Sequence, residues 1–414
     1  MKFNLFMPPT IPATDEERVA KRPIGRNTEA YQEMLAQVRE LTQLAEDVGF
    51  DSIGITEHHF HSEGYEISVA PLLLMADLAA RTERIKFLTL GLVAPAWDPI
   101  RLAEETAILD QLTCGRYYAG FARGYQDRWV KVLGQKYQTE GALSDGSAAD
   151  LRNREIYEEV VDIVRHAWQD ELLTYDGEFY KVPYPEGGIK DWKAARFTER
   201  FGAPGEMDAD GTIKAVSVVP RPYQEPHPPM FQPFSESEST IRYTAEKGIV
   251  PYILTSYPEE FQRLCRVYQE VSAENGRNLG LGQGVGALRS IHFGDSVPEA
   301  QALMEATQLK GWNLWFGQFG YWEAFRLPED NEKWPFGEVP LPESEWTAER
   351  FRKHQYSLMG TPDDIKREFS SLACVHGEGS LEWFSWFFDQ GLLSMDDARR
   401  QLELFGKHII GEFA

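Results

Sequence analysis

The chain has 414 residues, 42% of them hydrophobic, and a formal net charge of −23. That is enough apolar material for a large core, and the negative field argues against nucleic acid or an anionic membrane surface as partner. The three cysteines, Cys114, Cys265 and Cys374, are scattered and odd in number, which argues against a disulfide framework or structural zinc and suits a reducing cytoplasm.

The N-terminal apolar stretch is short and broken by Pro8, Pro9 and Pro12, so neither a signal peptide nor an anchor is expected. Lys2–Met7 reads as a first strand. Tyr31–Val48 has helical spacing and closes on Gly49. Asp51–Thr56 is a second strand, Ser68–Ala80 a helix, and Ile85–Val93 a third, buried strand. Pro99–Leu112 is helical, and Arg116–Ala122 is a fourth strand. After the helix Asp150–Trp168, strands are expected at Met230–Phe234, Gly248–Leu254, Val285–Phe293 and Ser380–Phe388. Helices are expected at Ser239–Lys247, Pro258–Ser272, Val297–Leu309 and Ser394–Ile410. Eight strands in strict alternation with helices predict a (β/α)8 barrel (a TIM barrel) in one domain over 1–414. Two segments break the rhythm. Pro183–Pro229 is rich in Gly, Pro and charge and reads as an insertion. Trp312–Trp346 carries Trp312, Trp315, Phe316, Phe319, Tyr321, Trp322, Phe325, Trp334 and Phe336, and reads as an aromatic lid.

Three clusters follow strand ends, where this fold builds its sites. Thr56-Glu57-His58-His59-Phe60-His61 offers imidazoles, the natural proton carriers near neutral pH. Phe121-Ala122-Arg123-Gly124 offers a guanidinium that can grip phosphate; alone it is also an ordinary surface arginine. Ser235-Glu236-Ser237-Glu238-Ser239-Thr240 puts hydroxyls and backbone N–H groups at a helix start, which suits an anion. The same residues are also normal helix caps, and the two carboxylates oppose an anion unless they point away.

The runs FDSIGITEHHF, APAWDPIRLAEETAILDQLTCGR, FARG, ESEST…AEKG and MGTPDDI occur here in the order seen in the α subunit of bacterial luciferase. The chain resembles that flavin-dependent monooxygenase family over nearly its whole length. The resemblance implies a barrel that binds reduced FMN, reacts it with O2 and oxygenates a small, apolar organic substrate through a flavin C4a-(hydro)peroxide. His58 matches the family's catalytic histidine, and His59 its neighbour in the motif. Glu57, Arg123, Glu236, Ser237, Ser239 and Thr240 match positions around the flavin and its phosphate. Leu90-Gly91 matches a non-prolyl cis peptide against the flavin ring.

The family's pattern implies a separate NAD(P)H:flavin reductase as partner and a homodimer. Ala122 stands where true luciferases have a reactive cysteine, and Asp98 where they have a histidine. Light emission and long-chain aldehydes are therefore not expected. Three other readings remain open: an F420-dependent hydride-transfer enzyme of the same fold, a non-catalytic flavin-binding protein, and a metal-dependent barrel hydrolase using His59 and His61.

Overall fold

The computed structural model describes residues 1–141 and 146–414. All eight expected strands are present: β1 Lys2–Phe6, β2 Ser52–Ile55, β3 Lys86–Thr89, β4 Tyr117–Ala122, β5 Met230–Ser235, β6 Val250–Ile253, β7 Gly286–Phe293 and β8 Trp383–Phe387. The fold class is the (β/α)8 barrel. The chain divides into two units, Met1–Leu92 with Met230–Ala414, and Val93–Pro229.

In the first unit seven strands run parallel in the order β3-β2-β1-β8-β7-β6-β5. Strands covered on both faces need apolar residues throughout rather than alternation, and every residue of β7 and β8 is buried. The exceptions inside are satisfied across the ladder. Asn4 on β1 donates to Ser385 on β8 (2.8 Å) and accepts from Ser52 on β2 (2.8 Å), so no polar group is stranded there.

Helices cover this sheet. The long helix after β1 runs over Thr28–Val48, starting earlier than its apolar spacing implies because the Asn27 side chain accepts from the Ala30 N–H. It ends at Gly49, whose φ of 104° suits glycine. Near the N-terminal helix, Phe3, Phe50, Phe369, Phe384, Trp386 and Phe405 form one buried aromatic cluster. Phe50 stacks on Phe405 at 5.0 Å, and each such ring contributes about 1.5–3 kcal/mol by leaving water. The helix expected over Val297–Leu309 is α-helical only through Met304. Glu305–Leu309 forms a π turn, and Lys310–Leu314 resumes the α-helix. A strand at Ser357–Gly360 pairs with the end of β7, and the helix Pro362–Ala373 follows behind a Thr361/Asp364 capping box. The strand's four residues are too few to show a pattern, and the helix was not among the expected elements.

The second unit holds β4, the helices Pro99–Leu112 and Ala148–Gln169, and the segment read as an insertion. Backbone bridges organise that segment: Ile213 pairs with both Ile189 and Met207 inside it, and Val216 pairs with Leu173 ahead of it. Its short helix Ala195–Phe201 leaves Phe197 and Phe201 exposed. Among the described residues no helix is long and apolar enough to cross a membrane.

One buried titratable group makes a stability prediction. His354 is buried against Tyr257 and Phe325, and burial, then Arg350, lowers its pKa to about 3. The unfolded chain therefore takes up a proton near pH 6.5 that the folded chain refuses until about pH 3. Stability falls as pH drops through that window, by up to about 1.4 kcal/mol per pH unit. In urea melts at pH 8 and pH 5, His354→Phe should lose less between the two than the parent chain. Equal losses would remove His354 from the acid response.

Candidate active site

The polypeptide leaves β2 at Ile55 and enters Thr56–His61 at the strand's C-terminal end. His58 is 5% exposed; its backbone N–H donates to the Ser68 carbonyl at 2.9 Å, which fixes the loop. Its ring stacks on His61 with centroids 5.2 Å apart and planes 20° apart. His61 is in turn held by its Nδ1 to the Tyr65 carbonyl (2.9 Å) and meets the edge of Trp315 at 4.8 Å. The carboxylate of Glu66 lies 3.6 Å from His58 Nδ1. Burial, followed by the neighbouring His61 and His59, pushes the His58 pKa well below its ordinary value. At neutral pH the ring is therefore a neutral imidazole.

Glu57 and His59 form a separate pair. Glu57 is 3% exposed and its Oε1 sits 3.0 Å from His59 Nε2. Among the described residues no three or more His, Cys, Asp or Glu converge to hold an ion. β3 stops at Thr89, and the Leu90–Gly91 peptide is cis, as the resemblance implied. Leu90 reaches across β2 at Gly54, where an added Cβ would meet the Leu90 side chain at 2.4 Å. Gly54 thus leaves room for the side chains of Leu90 and Asn4, a need that a lone glycine in DSIGIT does not announce.

After β5, Ser237 caps the helix Glu238–Lys247 and accepts from the Thr240 N–H. Its hydroxyl lies 3.1 Å from that of Ser239 and 3.0 Å from that of Thr240. Glu238 turns to Arg242 (2.9 Å) and Arg263 (2.6 Å), which removes much of its opposition to an anion. Glu236 is half-buried at the end of the strand. Three hydroxyls at the N-terminus of a ten-residue helix fit a phosphate. In the second unit Arg123 is paired with Asp150 at 2.5 Å, so its charge already has a partner.

The sequence reading overlooked Glu66, His61's link to Trp315, and a buried set around Asp389. His292 Nε2 lies 2.8 Å from Asp389 Oδ2, which also accepts from Thr307 (2.9 Å). The Gln308 amide, in the orientation that satisfies both its ends, donates to Asp389 Oδ1 and accepts from Trp312 Nε1 (2.8 Å) and the Tyr356 hydroxyl (3.0 Å). The aromatic segment is mostly packed: Trp312, Trp322 and Phe325 are each 1% exposed or less, while Trp315 is half-buried beside His61.

Residues 1–196 match the family model described as luciferase-like monooxygenase. The oxygenase component of the flavin-dependent trigonelline monooxygenase of Acinetobacter baylyi is 25% identical over 330 residues, 78% of this chain and 72% of that one. The oxygenating constituent of 3,6-diketocamphane monooxygenase from Pseudomonas putida, a type II Baeyer-Villiger monooxygenase solved with FMN, superposes with a TM-score of 0.71 at 19% identity. That superposition covers 100% of this chain and 99% of the other. The F420-dependent tetrahydromethanopterin reductase of Methanopyrus kandleri superposes at 0.60 with 14% identity, over 100% and 99%. These two likenesses show the shared barrel. With the family's model matched through residue 196 and flavin-dependent oxygenases among its relatives, the chain is identified as similar to the luciferase-like, flavin-dependent monooxygenases.

Proposed function

We propose that this chain is the oxygenase component of a two-component system, taking reduced FMN from a separate NAD(P)H:flavin reductase and using O2 to oxygenate a small, apolar organic substrate. The observation that carries this reading is His58: a buried, neutral imidazole at the mouth of β2, in a chain whose residues 1–196 match the luciferase-like monooxygenase model. Bound reduced flavin supplies the reaction with O2, and the protein supplies orientation and a dry surrounding.

His58 accepts and returns a proton at its ring, and Glu66 beside Nδ1 favours the charged form once it appears. His59 is held by Glu57 and steadies the loop. Leu90 and Gly91 offer a flat backbone face, and Glu236, Ser237, Ser239 and Thr240 surround the phosphate end. Arg123 keeps its assignment as a flavin contact on the resemblance alone and is tested by its own variant. Segment 312–346 keeps water from the His58 side through Trp315.

The decisive experiment is oxygen uptake with photoreduced FMN across a substrate panel, with product masses read out. FMN-dependent uptake with a product heavier by one oxygen atom supports the reading. Hydride transfer from reduced F420 without uptake would replace it with the F420 alternative. For the phosphate, Ser237→Ala/Thr240→Val and, separately, Arg123→Ala should weaken FMN about tenfold or more while leaving riboflavin within threefold, because charge-assisted bonds are lost only to FMN. Equal losses for both ligands would move those residues away from the phosphate.

A further inference from the structure

In the second unit, the segment rich in Gly and Pro shapes an open cleft of about 350 Å³, within the size range of small-molecule sites. Ile213, buried and bridged to Ile189 and Met207, lies at its base. Ile189, Trp192, Phe197 and Phe201 line the rest. The walls are preformed. Trp192 Nε1 donates to the Thr198 hydroxyl at 2.8 Å, which ties the indole to the helix Ala195–Phe201. Phe197 and Phe201 touch one turn apart, with centroids at 5.0 Å. Yet Trp192, Phe197 and Phe201 are 44%, 67% and 61% exposed. Three large rings left in water around one concavity are an apolar surface of the kind that marks a binding site.

The charge around this cleft runs against that of the chain. The chain carries −23, yet Ile189, Trp192, Phe197 and Phe201 each have a cation beside them in sequence: Lys190, Lys193, Arg196 and Arg200. Arg196 and Arg200 lie one turn apart, so they form a row along the helix next to the row of Phe197 and Phe201. The Arg200 guanidinium sits 4.8 Å from the centroid of the Phe201 ring. Among the described residues none of the four cations forms an ion pair. Carboxylates are fewer: Asp191 and Glu199 in the same stretch, and Glu206 in the lining, whose oxygens accept from the Ala203 and Ser217 N–H groups, each at 3.3 Å. A neutral ring would gain the apolar contact alone, and a cationic one would meet four like charges. An anionic ring gains both terms, since a guanidinium fork matches a planar carboxylate.

We propose that this cleft binds a small aromatic anion, a flat ring system bearing a carboxylate, with Trp192, Phe197 and Phe201 against the ring and Arg196 and Arg200 at the charge. The assignment does not depend on the oxygenase reading and concerns a part of the chain that reading does not use.

The test is calorimetric titration of the full chain with three probes of one shape: 2-naphthoate, 2-naphthylmethanol and 2-naphthylmethylammonium. Naphthoate should bind at least tenfold more tightly than the alcohol, the ammonium should bind most weakly, and high salt should close most of the gap. In Arg196→Gln/Arg200→Gln, naphthoate should fall to within threefold of the alcohol, while the alcohol stays within threefold of its affinity for the parent, which shows that the cleft stands. In Phe197→Ser/Phe201→Ser, which changes only exposed side chains, naphthoate and alcohol should both weaken at least tenfold. No measurable naphthoate binding to the parent chain, or alcohol binding as tight as naphthoate, overturns the proposal and needs no variant. Naphthoate affinity unchanged in Phe197→Ser/Phe201→Ser puts the ligand elsewhere on the chain and overturns it as well. A preference that survives Arg196→Gln/Arg200→Gln overturns the assignment of the charge to these two arginines.

Discussion

His58→Ala is expected to bind FMN within threefold of the parent and to lose coupled oxygenation by at least about a hundredfold, the scale of a positioned acid–base group. Three features of the loop set that expectation. The ring is buried, its pKa is held well below the ordinary value, and Glu66 stands across from Nδ1. A neutral base is lost to the site only when acid protonates it. The parent's turnover should therefore be flat on the alkaline side of the lowered pKa and should fall only in acid, and this limb should vanish in the variant. His58→Gln separates chemistry from packing, because it fills much of the space without a titrating ring. A product yield equal to the parent's in either variant would mean that His58 only fills its pocket.

Trp322→Ala is expected to cost about 3–5 kcal/mol, as large aromatic truncations in a core do. Trp322 is 1% exposed and stacks on Phe351 at 4.5 Å with planes 13° apart. Trp346 lies nearly parallel to it at 6.0 Å and 8°, and Trp312 meets it edge-on at 6.0 Å. The segment is pinned beside it by buried Arg350, which donates to Asp330 (2.5 Å) and to the Phe325 carbonyl (3.0 Å). Deleting Gly317–Pro328 removes Trp322 and Phe325 together, and the chain should then fail to fold. Trp315→Ala is the contrasting case. It should leave urea stability within about 1 kcal/mol and FMN affinity within threefold, yet raise hydrogen peroxide release. A small cost for Trp322→Ala would show that the segment rests loosely on the barrel. Unchanged peroxide release in Trp315→Ala would show that it shields nothing.

The barrel was legible because its strands are buried on both faces. Runs such as IKFLTLGLV and SLEWFSWFF stand out against amphipathic neighbours, and their ends were missed only by a few residues. The TEHHFH motif was legible for a different reason, its place after an apolar run. The same rule applied to β8 points at Asp389, two residues past Phe387, but a lone aspartate beside glutamine carries no composition signal. Glu66 was hidden because the loop that returns it to His58 follows no period. The aromatic segment shows the limit of composition. Counting rings in 312–346 cannot separate Trp322, deep in a stack, from Trp315, which faces a histidine, since that difference arises only when helix Ala348–Lys353 supplies Phe351.

The π turn at Glu305–Leu309 holds one residue more than an α-helix of the same rise. Thr307 and Gln308 both lie in it, and both reach Asp389. In evolutionary terms such a turn is a single-codon insertion tolerated inside a helix. Losing the exposed Glu305 would restore a regular helix, leave the flanking elements in register, and take at least one of those two donors off the carboxylate. Gaining or dropping one codon there would therefore rewire the hydrogen bonds of a buried carboxylate without shifting the elements on either side.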